Sequence, residues 1–298
     1  MSPADIPNDM TDAELKIPPI PEFDFTQPAG EPALCAPDSV TWQVFKNPVS
    51  LFAGGITAVL LEFADPRIRS GVWDHSIFPQ APVVRMKRTG HAAMMTVYGP
   101  KSRAERLIAG VTRMHSRVEG KTPSGEAYKA LDPELLNWVQ ATASFGFLMA
   151  YHHFVRPLSQ AERDSMYAES EVPAALYGAT AAPRCEQDFY DMMERLKPGF
   201  EPHEINTQFL DIVSKTSDLP VVLRPLQGML VKAGVDILPA SVREVLELGP
   251  EYDLSGWERS VIRGIGRLFD RIPISSTPAV QASKRLGLPA NYLYRRKA

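Results

Sequence analysis

One histidine of the chain, His115, sits in a pattern that suggests chemistry at a buried site. The stretch Ser102–Val118 predicts a helix with a single apolar stripe, because its apolar residues recur at spacings of three and four. A buried imidazole must satisfy two ring nitrogens. Two interpretations therefore remain open: a core histidine bonded to a main-chain carbonyl, or a ligand of haem iron beside an apolar helix face that suits a porphyrin.

A second candidate cluster precedes it in the chain. Helical spacing places Arg85, Arg88 and Thr89 on one face of a helix predicted over Arg85–Val97. Two guanidiniums and a hydroxyl can hold carboxylates, such as the propionates of a haem, by charge-assisted hydrogen bonds. The same face could equally be a solvated edge that pairs with acidic residues, so spacing alone does not decide its role.

The elements that must position these residues are predicted to be helices. Leu51–Ala64 is apolar nearly all round, as in a buried central helix. Asp132-Pro133-Glu134 predicts the start of a long helix that ends near Phe154, and Ser159-Gln-Ala-Glu162 has the form of a capping box. Glycines and a proline predict a loop over residues 119–126. Further helices are predicted over residues 159–178, 186–196, 203–216, 221–233, 240–247, 256–270 and 278–286. We therefore expect an all-α fold with one globular multi-helix domain.

The first 40 residues differ from the rest of the chain. They are rich in proline and acid, as in Ile17-Pro18-Pro19-Ile20-Pro21, and proline at this density does not support a helix or a central strand. We expect residues 1–40 to form an extended or partly disordered arm. No repeat or change of composition divides the remainder, which predicts one domain over residues 41–298.

Composition and missing motifs exclude several classes of protein. The chain has 298 residues, of which 44% are hydrophobic and 22% charged, with a net charge of −3, so no strong field points to a nucleic-acid partner. Cys35 and Cys185 form no CxxC pair, and no apolar run approaches the ~18 residues of a membrane span. We find no secretory signal, no glycine-rich nucleotide loop, no GxSxG, no HExxH and no Glu-x-x-His pair. These features predict a soluble, cytoplasmic protein.

Several segments, in order along residues 42–289, resemble the MpaB/rubber-oxygenase catalytic domain family. They include Gly71-Val-Trp-Asp-His75-Ser, the Arg85…Arg88-Thr89 cluster, Met114-His115-Ser-Arg-Val118-Glu-Gly120, Gly125-Glu-Ala-Tyr128-Lys-Ala130-Leu-Asp-Pro133 and Leu219-Pro220…Leu223-Arg224. The resemblance implies a globin-like helical core that holds a non-covalent haem b, with oxidative cleavage of a carbon–carbon double bond by dioxygen. By position it implies that His115 is the proximal iron ligand and that Arg85 and Thr89 lie beside the haem. The candidate catalytic residues are Arg85, Arg88 and Thr89.

One position departs from the family pattern. Latex-clearing proteins have a lysine immediately before the threonine, whereas this chain has Arg88, whose protonated guanidinium is a very poor iron ligand. Lys87 would point about 100° away on a helix. The distal side is therefore expected to be open, water-bound or served by another group, and the expected substrate is a small unsaturated lipid, terpenoid or polyketide. The alternative is a non-catalytic haem- or lipid-binding helical protein.

The remaining histidines carry weaker expectations. His75 and the His152-His153 pair are weak candidates to line a substrate pocket, whereas His91 is expected to be peripheral and His203 needs no special role. Tyr128 and Trp138 are expected to be packing residues.

Overall fold

The computed structural model describes residues 23–215 and 224–295, and the structural statements below concern this part of the chain. α-Helices dominate it and the strands form only a small hairpin, which confirms the all-α prediction. The helices are α1 (Val40–Phe45), α2 (Pro48–Ala64), α3 (Pro66–His75), α4 (Pro82–Tyr98), α5 (Lys101–His115), α6 (Pro133–Phe154), α7 (Gln160–Glu169), α8 (Glu171–Tyr177), α9 (Glu186–Leu196), α10 (Glu204–Lys215), α11 (Arg224–Asp236), α12 (Ala240–Val245), α13 (Gly256–Phe269) and α14 (Pro278–Arg285). Strands β1 (Glu119–Lys121) and β2 (Ala127–Lys129) pair antiparallel, and short 3₁₀ turns lie at Lys197–Gly199, Pro250–Tyr252 and Tyr292–Tyr294.

Side chains at the helix starts explain why the helices begin where they do. Asn47, Asp65 and Asp132 each accept a hydrogen bond from a backbone N–H in the first turn, at the starts of α2, α3 and α6. A proline occupies the first turn in all three, where its missing N–H costs nothing. The predicted start of α6 and the predicted capping box of Ser159 with Glu162 are both confirmed.

The sequence-based elements differ from the structure at a few places. The helix predicted over residues 159–178 is two helices, α7 and α8, which meet at Ser170; Pro173 has no N–H to continue the helical ladder there. The loop predicted over residues 119–126 begins with β1, and α1 and α3 were not predicted. The Leu219–Leu223 part of the family resemblance, the start of the helix predicted over 221–233 and residues 1–22 of the predicted arm lie outside the described residues.

The centre of the fold is a close contact between α2 and α6. A Cβ atom on Gly54 would lie 2.7 Å from the carbonyl oxygen of Gly146, so only glycine permits the two backbones to approach this far. Large buried aromatic side chains lie on the same two helices, among them Phe63 of α2 and Trp138 and Phe145 of α6. The pair therefore forms a rigid centre on which the other helices pack.

The described part of the predicted N-terminal arm lies against the helices. Phe25 is buried, and the Arg285 guanidinium of α14 donates to the backbone carbonyls of Phe25, Glu31 and Tyr98 at 2.8 Å each. The predicted boundary near residue 40 and the globin-like arrangement stay predictions.

Within the described residues, none of the helices has by itself the length and the apolar composition that a membrane span requires. Only α2 and α3 taken together reach both, and these two helices are bent by 109° relative to each other.

Candidate functional site

Two pairs of helices, α2 with α6 and α4 with α5, border the candidate site without packing closely on each other in the described residues. α2 and α6 pack along their lengths, whereas α4 packs closely on α1, α5 and α14, and α5 packs on α4 and α8. Close packing of α4 or α5 on α2 or α6 is not found in the described residues. The α4–α5 pair therefore stands off from the α2–α6 pair.

α2 and α6 each carry apolar residues that are only half-buried. On α2, Leu51, Gly55 and Val59 follow at a spacing of four and each keeps accessible surface. On α6, Ala143 and Phe147 do the same. α2 is contacted by α1, α3, α6, α10, α11, α12 and α13 but not packed closely by α4 or α5 in the described residues. We infer that its accessible stripe borders the space left between the two helix pairs, and we call this space the hollow.

Glu62 continues the same stripe of α2, three residues after Val59. Protein surrounds its carboxyl closely enough that burial raises the pKa to about 7, although the residue keeps some accessible surface. The positive charge of Arg85 and a long hydrogen bond of 3.4 Å from the Thr142 hydroxyl act in the opposite direction. A carboxyl that is enclosed yet accessible faces the hollow and changes its protonation near neutral pH.

Arg85 lies in the first turn of α4, on the other side of the hollow. Burial lowers the pKa of its guanidinium, and the nearby Glu62 carboxylate partly restores it. Among the described residues the two groups make no direct ion pair, so they interact across the hollow at more than contact distance.

His115 is the last residue of α5 and is half-buried. Burial lowers the pKa of its imidazole, and the positive charge of Arg85 lowers it further, so the ring is neutral at physiological pH. No hydrogen bond involves the ring among the described residues. In the described structure no main-chain carbonyl accepts a hydrogen bond from this ring, as it would in a histidine that serves only the core. One ring nitrogen therefore keeps a lone pair available.

The predicted apolar stripe of α5 is only partly enclosed. Ala104 and Ile108 are its buried residues, Leu107 and Val111 are half-buried, and Met114 is 60% exposed. The Thr112 hydroxyl is buried without a partner in the described structure. An incompletely packed helix face with an orphaned hydroxyl is typical of a site that a ligand completes.

The other two predicted site residues lie at the edge of this arrangement. Thr89 is exposed, and its hydroxyl donates to the Arg85 carbonyl oxygen at 3.0 Å. Arg88 is half-buried on the same helix. The structure thus brings Arg85 and His115 together at the hollow, and the roles of Arg88 and Thr89 in binding or catalysis stay predictions.

Sequence reasoning missed Glu62. The available signal was one acidic residue within a helix that is otherwise apolar on every side, Leu51–Ala64. A lone carboxyl inside such a helix either is neutral or has a partner, and both point to a site.

The remaining histidines lie elsewhere. The His75 Nε2 atom is 3.2 Å from the Tyr128 hydroxyl, and the His91 ring packs on Phe23 at 4.3 Å. The His152 Nδ1 atom accepts the backbone N–H of Leu158 at 2.9 Å. Trp138 is fully buried and donates to the Leu61 carbonyl, as expected of a packing residue.

These residues fit a haem better than a bare metal ion. The described residues contain no group of three or more histidine, cysteine or acidic side chains that could hold a metal ion alone. Haem iron needs only one or two protein ligands, because the porphyrin supplies the other four. A neutral imidazole, a guanidinium and apolar half-buried helix faces are the donor, the carboxylate partner and the lining that a haem requires.

Comparison with known proteins agrees with the sequence resemblance. The family model described as "ER-bound oxygenase mpaB/B'/Rubber oxygenase, catalytic domain" matches residues 42–270, well over half of the chain. No curated protein and no solved structure matches the chain. The family match supports an oxygenase-type function. The chain therefore belongs to the MpaB/rubber-oxygenase catalytic domain family.

Proposed function

We propose that this protein is a haem b-dependent oxygenase that uses dioxygen to oxidise an unsaturated, apolar small molecule such as a lipid, terpenoid or polyketide. The observation that carries the proposal is that Arg85 of α4 lies near enough to Glu62 of α2 and His115 of α5 for its charge to lower the pKa of both, although the three groups make no direct contact among themselves in the described structure. Family membership supplies the reaction class.

His115 is the proposed iron ligand. Its imidazole is kept neutral by burial and by Arg85, which is the protonation state that ligation requires. When bound, the haem supplies the activation of dioxygen that oxidises a carbon–carbon double bond. The protein contributes the ligand, the orientation of the substrate and the exclusion of water.

Arg85 and Glu62 are the proposed polar partners of the site. The Arg85 guanidinium is a donor for carboxylates such as the haem propionates and holds positive charge beside Glu62. Glu62 accepts or releases a proton near pH 7, which suits a general base or acid. Arg88 and Thr89 are proposed to contact the edge of the same site.

The apolar lining selects the substrate class. The half-buried residues Val59, Ala143 and Phe147 offer carbon surface and no hydrogen-bond partner from their side chains. An alkene chain loses no hydrogen bonds on entering such a site, whereas a polar substrate would.

An absorption spectrum of protein grown with a haem precursor tests the cofactor. We expect an intense Soret band and iron close to one atom per chain, both of which His115→Ala strongly reduces. His203→Ala is the matched control, because the His203 ring caps α10 by accepting the Ile205 N–H. Helix content by circular dichroism shows that each variant is folded. A folded His115→Ala protein with an undiminished Soret band contradicts the proposed ligand.

Substrate-dependent uptake of dioxygen separates catalysis from the non-catalytic alternative. We expect oxygen consumption with squalene or oleic acid as unsaturated probes, and none with squalane or stearic acid as their saturated counterparts. Haem-loaded protein that consumes no oxygen with any olefin tried would favour a haem- or lipid-binding role.

A further inference from the structure

Exposed apolar side chains concentrate on one part of the surface, far along the chain from the candidate site. Eight large hydrophobic side chains are exposed among the described residues, and five of them fall within residues 257–274. They are Trp257, Val261, Leu268, Ile272 and Ile274. Single exposed apolar residues need no explanation, but a concentration of this kind marks an interaction surface.

Helical geometry makes three of these residues one stripe. At about 100° per residue, Trp257, Val261 and Leu268 lie on the same face of α13, together with Ser260 and Gly264. Trp257 is 61% exposed and Leu268 56% exposed. Ile272 and Ile274 follow directly after the helix. We call this stripe and residues 272–274 the apolar face of α13.

The apolar face has basic residues along its edge. Arg263 and Arg267 lie on one flank of α13, and the exposed Arg271 follows the helix. Within the described part of the chain, none of the three has an ion-pair partner. The nearby acids are already paired: Glu258 with Lys232, Asp236 with Arg259, and Asp270 with Lys46. The edge therefore carries positive charge on a chain whose net charge is −3.

A cationic cavity opens on the same flank. It has a volume of roughly 220 Å³ and is lined by His152, His153, Val155, Pro157, Arg263 and Arg267, without an acidic residue. Arg263 donates to the His153 carbonyl oxygen at 2.9 Å, which holds the guanidinium at the wall. Because the His152 Nδ1 atom accepts a backbone N–H, its proton lies on Nε2, which is a donor. The cavity thus offers donors to an anion.

We propose that the apolar face of α13 attaches the protein peripherally to an anionic phospholipid bilayer, with Trp257 and Leu268 in the interface and the Arg263–Arg267 cavity receiving a lipid phosphate. A helix with tryptophan and leucine on one face and arginine beside it is the arrangement of interfacial helices. Guanidinium groups bind phosphate through paired N–H donors. This attachment is independent of the proposed oxygenase chemistry.

Vesicle flotation tests the proposal. We expect the full-length protein to bind vesicles of phosphatidylcholine mixed with phosphatidylserine, to bind phosphatidylcholine vesicles weakly, and to be released by added salt. Trp257→Ser combined with Leu268→Ser should lower the partition coefficient by about tenfold or more, because both side chains leave the interface. Val172→Ser is the matched control, since Val172 is 57% exposed on α8.

Charge and fluorescence provide two further readouts. Arg267→Glu should weaken binding to the anionic vesicles by about tenfold, whereas Lys284→Glu, an equal charge change at an exposed position of α14, should not. Of the four tryptophans, Trp42 and Trp138 are fully buried, Trp73 is half-buried and Trp257 alone is exposed. A blue shift of tryptophan emission on vesicle binding should therefore arise from Trp257 and disappear in Trp257→Phe, which keeps an aromatic anchor.

Three outcomes would overturn the proposal. The first is equal binding to vesicles with and without phosphatidylserine. The second is binding that the Trp257→Ser/Leu268→Ser variant retains in full. The third is self-association of the unmodified chain in sedimentation that this double variant abolishes without any vesicle binding, which would assign the apolar face to a second copy of the protein.

Discussion

The two helix pairs that border the candidate site, α2 with α6 and α4 with α5, differ in how completely their residues are buried. Most of α2 and much of α6 are buried, and their backbones touch at Gly54 and Gly146. In α4, by contrast, none of the residues from Pro82 to Met94 is buried, and α5 buries only Ala104 and Ile108. Glu62 belongs to the close-packed pair, and Arg85 and His115, whose charge or pKa is linked to it through Arg85, belong to the open pair.

This difference shows how one fold can hold both a framework and a site. Close packing of α2 on α6 fixes the position of Glu62, while loose packing of α4 and α5 leaves room beside Arg85 and His115. Loose packing reduces the burial that stabilises a helix, and sites for ligands are commonly found in such regions. Four substitutions test this contrast.

The contact between α2 and α6 should be the most sensitive to substitution. Gly54→Ala places a Cβ 2.7 Å from the Gly146 carbonyl oxygen and from the Phe147 Cα, and neither backbone can move away easily. We expect a loss of about 3 kcal/mol in the free energy of unfolding, measured with urea. Gly55→Ala is the matched control, because its Cβ would meet only Phe147 Cε1 at 3.9 Å. Equal effects of both substitutions would remove the claim of a close-packed pair.

The next effect concerns Glu62 and depends on pH. A carboxyl whose pKa rises from 4.5 to about 7 on folding holds its proton more tightly in the folded protein. The free energy of unfolding should fall as pH rises from about 4.5 to 7 and then stay lower. Glu62→Gln removes the charge and should stabilise the protein by about 1–3 kcal/mol at pH 8, with little effect at pH 4. A difference that does not change with pH would show that the carboxyl is not enclosed.

A smaller effect is expected from the orphaned hydroxyl of α5. Thr112→Val removes a buried hydroxyl without a partner and should raise the free energy of unfolding by about 1 kcal/mol. The same change at Thr57 of α2 should destabilise by about 1 kcal/mol, because that hydroxyl donates to the Gly234 carbonyl oxygen at 2.7 Å. Opposite signs for the two variants would confirm the contrast between the helix pairs, and like signs would contradict it.

The smallest effect is expected at Gly110 in α5. A Cβ there meets no atom within 4 Å, and glycine inside a helix carries a conformational cost. Gly110→Ala should therefore stabilise the protein by about 0.5–1 kcal/mol in thermal or urea unfolding. Destabilisation would mean that the space beside α5 is smaller than the structure indicates.

The helices were predicted from sequence more successfully than the site. Periodic apolar residues and strong caps, such as Asp132 with Pro133, gave the bounds of α6 and the identity of most other helices. The short helices α1 and α3 were missed; in α3 the buried residues include Arg69 and Ser70, so no apolar stripe marks the helix in the sequence. The stripe that contains His115 was predicted, but its partial exposure was not, since spacing shows which residues share a face and not what covers that face.

Local sequence was therefore sufficient for the all-α architecture, because capping and helical periodicity act within a few residues of one another. Family membership could also be inferred from the sequence, because the matching segments follow one another in order from Gly71 onward. Only the tertiary structure joined Glu62, Arg85 and His115, which come from three helices, at one hollow. The pKa of Glu62 is a property of that enclosure, because burial by distant parts of the chain, and not its neighbours in sequence, disfavours its charge.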